Sequence, residues 1–257
     1  MKNLKREYVF MSKKKKPKII IWDIETSLSM MAGFSLYPNY IPHTNLLKDT
    51  HIVCVCWKEL GKKRVHSVST YTFDDKKLCQ KIRDEFQDAD LLIAHNGDKF
   101  DLKTLNSRLM VNNIEPLGPL VTLDTLKEVK KIARFSSNKL DYLGKVLCGH
   151  RKLKTDSELW LRVLRGEKKA VNEMVRYCKQ DVLLLEEVYL KIRKYIKGHP
   201  VLHPHKGEVV CPICGSKHAT KDGVRRTKSG ILYQRYRCQD CGSRFQKVKS
   251  IINTDYK

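Results

Sequence analysis

KIIIWDIE, residues 18–25, is an apolar run rich in isoleucine, and it reads as a buried strand. Two carboxylates, Asp23 and Glu25, stand two apart near its end. Side chains two apart on a strand share a face, so both acids leave the sheet together. A buried strand does not normally tolerate such a pair without compensation. A shared cation is the simplest compensation; a strand end frayed into solvent is the alternative.

Outward from this strand, residues 26–49 lack periodicity, contain Gly33, Pro38 and Pro42, and read as a long loop. HIVCVCW (51–57) and RVHSVSTYTF (64–73) read as strands joined at Gly61-Lys62 into a hairpin. DDKKLCQKIRDEFQ (74–87) places Leu78, Ile82 and Phe86 at helical spacing. DLLIAH (90–95) and PLVTLD (119–124) are two further strands, with a helix over 99–112 between them. Helical pieces follow near 124–133, 138–148, 156–165 and 167–195. Periodicity alone gives an α/β fold.

Two more acidic patterns lie in these later elements. In HNGDKFD (95–101), Asn96-Gly97 supplies a turn and Asp98 could cap the next helix. Asp98 and Asp101 are three apart and can face one side, so spacing does not choose a metal ligand between them. In YCKQD (177–181), Tyr177 and Asp181 are four apart and one helical turn removed on the same face. An ordinary hydrogen bond on a helix surface explains such a pair equally well. Carboxylates gathered from distant stretches suit Mg²⁺ and two-metal phosphodiester chemistry.

DIET, HNGxxFD and YCxxD, in this order, resemble the three motifs of the DEDD, or DnaQ-like, 3′–5′ exonucleases over about residues 18–195. KLDYLGKVLCGHRKLKTD (139–156) is similar to the segment that precedes the third motif in family B polymerase proofreading domains and their stand-alone relatives. Arg176 stands where the histidine branch of that superfamily has its histidine, so the resemblance is to the tyrosine branch. It implies a ribonuclease-H-like α/β fold, a five-stranded mixed sheet flanked by helices. It also implies two Mg²⁺ (or Mn²⁺) ions: Asp23, Glu25 and Asp181 on one, Asp101 on the second, with Asp23 reaching both. By the same resemblance Tyr177 orients the attacking water, and its phenol, with a pKa of about 10, suits positioning better than proton abstraction. Thr26 and Asn96 stand at motif positions beside the substrate's 3′ end, and Phe100 is counted with them as a substrate contact.

Cys211-Pro-Ile-Cys214 and Cys238-Gln-Asp-Cys241 form a C-x2-C…C-x2-C pattern, each pair followed by glycine. This reads as a structural Cys₄ site for one Zn²⁺ in a small C-terminal zinc ribbon. A segment so small could hardly fold without its metal. Between the pairs, Arg225, Arg226, Tyr233 and Arg235 interleave cations with an aromatic, a pattern suited to phosphates and unpaired bases. CPxCGS and YQRYRCQDCGSRF resemble the ribbons at the N-termini of insertion-sequence transposases, which implies nucleic-acid binding; protein docking is the alternative. Cys54 and Cys56 read as neighbours in one core layer, and Cys79, Cys148 and Cys178 as isolated small hydrophobes.

Fifty-one Lys and Arg against 28 Asp and Glu give a net charge of +23. Such an imbalance points to a polyanionic partner, nucleic acid first. No apolar run approaches the roughly 20 residues of a membrane span, so no membrane partner is expected. Nine cysteines without a secretory leader suggest a reducing, cytoplasmic compartment. The expected organisation is a basic arm (1–17), an exonuclease domain (18–197), a linker (198–208), the ribbon (209–249) and a tail (250–257). GHPVLHPHKGE (198–208) carries His199, His203 and His205, read as linker rather than metal ligands. Met11 offers a second possible translation start. The expected activity is 3′–5′ hydrolysis of DNA, single strands preferred and RNA possible, with a polymerase or another replication or repair protein as partner in trans. A ribonuclease, a structure-specific nuclease and a non-catalytic nucleic-acid-binding adaptor are the alternatives.

Overall fold

The computed structural model describes residues 16–35, 39–153, 155–203 and 208–251. The arm expected over 1–17 falls almost wholly outside these residues, as do His205 and most of the tail.

The chain enters on β1 (Ile19–Thr26), whose side chains alternate between two cores. Ile20, Trp22 and Ile24 face one, and Ile19 and Ile21 the other. A small ribbon of β2 (Met30–Met31) and β3 (Leu46–Lys48) follows, within the stretch expected to be a plain loop. Its strands are too short to carry a period. Next, β4 (Ile52–Glu59) pairs antiparallel with β1, and β5 (His66–Ser69) closes the hairpin through Gly61 at φ +78°. The strand expected over 64–73 is only these four residues long, because Thr70 and Thr72 turn their hydroxyls onto the chain around Asp74.

Helix α1 (Lys76–Phe86) buries Leu78, Ile82 and Phe86 against the Trp22 face, where Phe86 meets Trp22 edge-on with ring centroids 5.2 Å apart. Strand β6 (Leu91–Ala94) then adds to β1 in parallel. After α2 (Asp101–Val111), β7 (Thr122–Asp124) extends the sheet, giving the order β5-β4-β1-β6-β7. This is the expected five-stranded mixed sheet of ribonuclease-H type. Helices α3 (Thr125–Ile132), α4 (Leu140–Cys148) and α5 (Ser157–Leu164) lead into the long α6 (Lys168–Ile192). That helix crosses the Ile19–Ile21 face and supplies the largest share of its core. No helix among the described residues is long and apolar enough to cross a membrane.

The C-terminal sheet, β8 (Ala219–Arg226), β9 (Ile231–Cys238) and β10 (Arg244–Ile251), is antiparallel throughout. His199, Leu202 and His203 pack between the two parts. His199 Nε2 lies 2.8 Å from the Tyr189 hydroxyl. The Leu202 and His203 amides both donate to the Pro212 carbonyl, and the His203 ring lies against Gly215.

Candidate active site and cysteine centre

The alternation of β1 positions the first two acids. Ile19 and Ile21 face α6, and Asp23 and Glu25 continue that row. On α6, Asp181 is buried among apolar neighbours and meets them: carboxylate oxygens of Asp23, Glu25 and Asp181 lie within 4.8 Å of one another. Asp101 comes from the first turn of α2. Its carboxylate is held by its own amide and that of Ile24 and adds to the negative potential at Asp23.

Asp98 does not cap α2. Its carboxylate accepts from Lys127 Nζ at 2.7 Å, leaving Asp101 as the buried acid of HNGDKFD. The turn ahead of both acids is tight. Asn96 adopts φ +67°, and its amide donates to Asp124 Oδ1 at 2.9 Å. A Cβ on Gly97 would lie 2.3 Å from the Ala94 Cβ, so only glycine fits there.

Burying like charges together raises their pKa values. Desolvation, then the neighbouring acids, pushes Asp23 well above the usual carboxylate range. Desolvation and the Asp181 charge raise Glu25 to about 8. Desolvation likewise brings Asp101 to about 7 and raises Asp181. Each buried ion costs several kcal/mol unless compensated. Asp101 Oδ1 and Asp181 Oδ1 are buried without a hydrogen-bond partner. Hard, oxygen-only donors with unused lone pairs fit Mg²⁺ or Mn²⁺.

Among the described residues, one cation reaches into the cluster. Lys152 Nζ lies 2.5 Å from Asp181 Oδ2 and 5.0 Å from the centroid of the Tyr177 ring. Burial opposes its charge, but Asp181 outweighs burial and raises its pKa. Tyr177 is half-buried, packed edge-on against Trp160 at 6.4 Å, and desolvation raises its pKa. Lys152 was missed in the sequence; its only signal is its place in the KLKTD stretch ahead of YCKQD. Lys152 also borders an open groove of about 550 Å³ that holds Asn96, Asn138, Lys130 and Lys139. Thr26 ends β1 half-buried, and Phe100 is exposed beside Asp101.

Beneath the acids, the structure gathers Cys54, Cys56 and Cys178, their sulfurs within 4.8 Å of one another. Cys178 is therefore not the isolated hydrophobe that the sequence suggests. It donates to the Asp23 carbonyl at 3.4 Å, and Cys56 donates to that of Val175 at 3.7 Å. Cys56 and Cys54 pair across the sheet with Asp23 and Glu25. Small, soft side chains here let α6 approach the acid-bearing strand closely.

In the C-terminal part, Cys211, Cys214, Cys238 and Cys241 converge within 4.8 Å. Two matching turns hold them: Cys211 accepts from Gly215 and donates to Ser216, and Cys238 accepts from Gly242 and donates to Ser243. Gly215 and Gly242 take φ of +76° and +73°, as such turns require. The sulfurs of Cys211 and Cys241, and of Cys214 and Cys238, are 3.6 Å apart. Tetrahedral Zn²⁺ with 2.3 Å bonds asks for about 3.8 Å, so the four thiols fit a structural zinc ion.

Of the residues singled out in the ribbon, Arg225, Tyr233 and Arg235 fall on one sheet face and Arg226 on the other. Arg225 pairs across the sheet with Tyr233, Arg226 with Leu232. The second tyrosine, Tyr236, stacks on Phe245 at 5.5 Å.

The family model described as the RNase_H superfamily matches residues 43–193, more than half of the chain. Over 73 residues the chain is 38% identical to the DNA polymerase III PolC-type of Ureaplasma parvum serovar 3, a match spanning 28% of this chain and 5% of that protein. Among solved structures, the family B DNA polymerase from the hyperthermophilic archaeon Pyrobaculum calidifontis superposes with a TM-score of 0.52 at 14% identity. It covers 72% of this chain and 26% of that one. At that identity the likeness concerns the fold alone.

Proposed function

Because the chain belongs to the RNase_H superfamily, we propose that it is a metal-dependent 3′–5′ exonuclease acting on single-stranded DNA. The observation that carries this reading is the convergence of Asp23, Glu25 and Asp181 beside Asp101, with buried oxygens left unpaired. Asp23, Glu25 and Asp181 would hold one divalent ion and Asp101, with Asp23, a second. Bound ions would supply a hydroxide near neutral pH and charge neutralisation at the leaving oxygen.

The chain's own groups do the rest. Tyr177 is placed beside Asp181 to hold the attacking water by its hydroxyl. Asn96 and Phe100 flank Asp101, where a terminal nucleotide would sit. The lysine-lined groove next to Asn96 offers a path for the strand's phosphates. The ribbon, with its own zinc ion, helps hold the nucleic acid. The preference for DNA follows the DNA polymerase III PolC-type relative.

Asp23→Ala should lower Mg²⁺-dependent nuclease activity by about a thousandfold, the several kcal/mol a metal centre contributes. Activity that survives this change would remove the acidic cluster from the reaction.

A further inference from the structure

The register of the ribbon sheet separates its side chains in a way the sequence does not display. On β9, Tyr233, Arg235 and Arg237 alternate with Leu232, Gln234, Tyr236 and Cys238. Cross-strand partners share a face. Tyr233 is therefore flanked by Arg225 on β8 and Val248 on β10, and Arg237 by Thr220 and Arg244. The opposite face carries Tyr236 and Phe245, and Phe245 packs against the cysteine cluster. One tyrosine belongs to the ribbon's core; the other lies within a field of arginines.

Arg225, Arg235, Arg237 and Arg244 are exposed. Arg244 is fixed by Asp222 at 2.8 Å, while the other three have no carboxylate partner among the described residues. Guanidinium groups without carboxylate partners around an aromatic ring on a three-stranded sheet match a sugar–phosphate backbone with bases laid on the ring. A duplex hides its base faces by stacking, and a three-stranded sheet is wider than the two-stranded ribbons that enter its major groove. We propose that this face, centred on Tyr233, is a stacking platform for an unpaired DNA or RNA strand, separate from the catalytic centre. The proposal deepens, and rests on, the reading of the chain as acting on nucleic acid.

The test uses the full chain with zinc retained and no added Mg²⁺ or Mn²⁺, so binding is read without cleavage. Its probes are fluorescent oligo(dT) and a blunt duplex of equal length. Tyr233→Ala should weaken oligo(dT) binding roughly 5- to 100-fold, the loss of one stacked base. Tyr233→Phe should restore it. Arg235→Ala should make the salt dependence on the single strand shallower by about 0.7. Arg226→Ala, on the opposite face, should change affinity far less than Arg225→Ala. Zinc content equal to wild type in each variant checks that the ribbon is folded. The proposal is overturned if Tyr233→Ala binds oligo(dT) as wild type does, if Tyr233→Phe fails to restore binding in a zinc-loaded protein, if Arg226→Ala matches Arg225→Ala, or if the duplex binds as tightly as the single strand. Each result is independent of whether Asp23 proves catalytic.

Discussion

At Asp181 a buried carboxylate has one oxygen against Lys152 Nζ and the other without a partner. Lys152 thus offsets part of the charge that divalent ions would neutralise, while keeping close to Tyr177. Lys152→Met should reduce turnover about 10- to 100-fold, the usual cost of removing a group that positions metal ligands. Unchanged turnover with Mg²⁺ saturating would mean the lysine only fills space. The raised carboxyl pKa values carry a second prediction. With Glu25 near 8 and Asp101 near 7, the folded, metal-free protein holds protons that the unfolded chain has already released. The stability that these two carboxyls contribute is therefore fully present below the unfolded values of about 4 and is lost as pH rises through 7 and 8. Metal binding should expel those protons, more at pH 7 than at pH 9. Calorimetric titration with Mg²⁺ in buffers of different ionisation enthalpy measures this; equal proton release at the two pH values would contradict it.

Elements differed in how far the sequence announced them. The strand β1 was legible, because its two-residue period continues from Ile19 and Ile21 into Asp23 and Glu25. Helix α6 was legible from its length and apolar spacing, which also put Tyr177 and Asp181 one turn apart. Spacing could not separate Asp98 from Asp101, since the deciding contacts, Lys127 for one and the Ile24 amide for the other, come from distant elements. Lys152 and Cys178 escaped for the same reason: their roles arise from contacts across the fold. The turn at Gly97 offers a direct check on how an element sets the site. Gly97→Ala would push Ala94 at the end of β6, and the Asp101 carboxylate sits 3.7 Å away from the added methyl. The change should cost about 1–3 kcal/mol of stability and lower Mg²⁺-dependent activity more than thermal melting alone accounts for. Normal activity in the folded variant would mean that the turn does not fix Asp101.

At the scale of the molecule, two sets of possible metal ligands occupy two regions of the described residues. Hard carboxylates meet at the ends of β1 and α2 and on α6. Soft thiolates close the ribbon at the far end of α6, where Gly242 lies against the Lys194 stem and Gly215 against His203. From Asp181 to Arg193 the chain runs 12 residues, about 18 Å at helical rise, so the cysteine turns meet the domain well away from the acids. On the reading proposed above, the excess of positive charge would serve both ends, in the groove beside Asn96 and on the Arg/Tyr face of the ribbon. The central claim is stepwise, metal-dependent hydrolysis from a 3′ end. Its most direct test is a time course on 5′-end-labelled single-stranded DNA with Mg²⁺, resolved to single nucleotides. The account predicts a ladder that shortens one nucleotide at a time from full length, absent with Asp23→Ala. Immediate release of the labelled terminal nucleotide, or one discrete internal product, would contradict it.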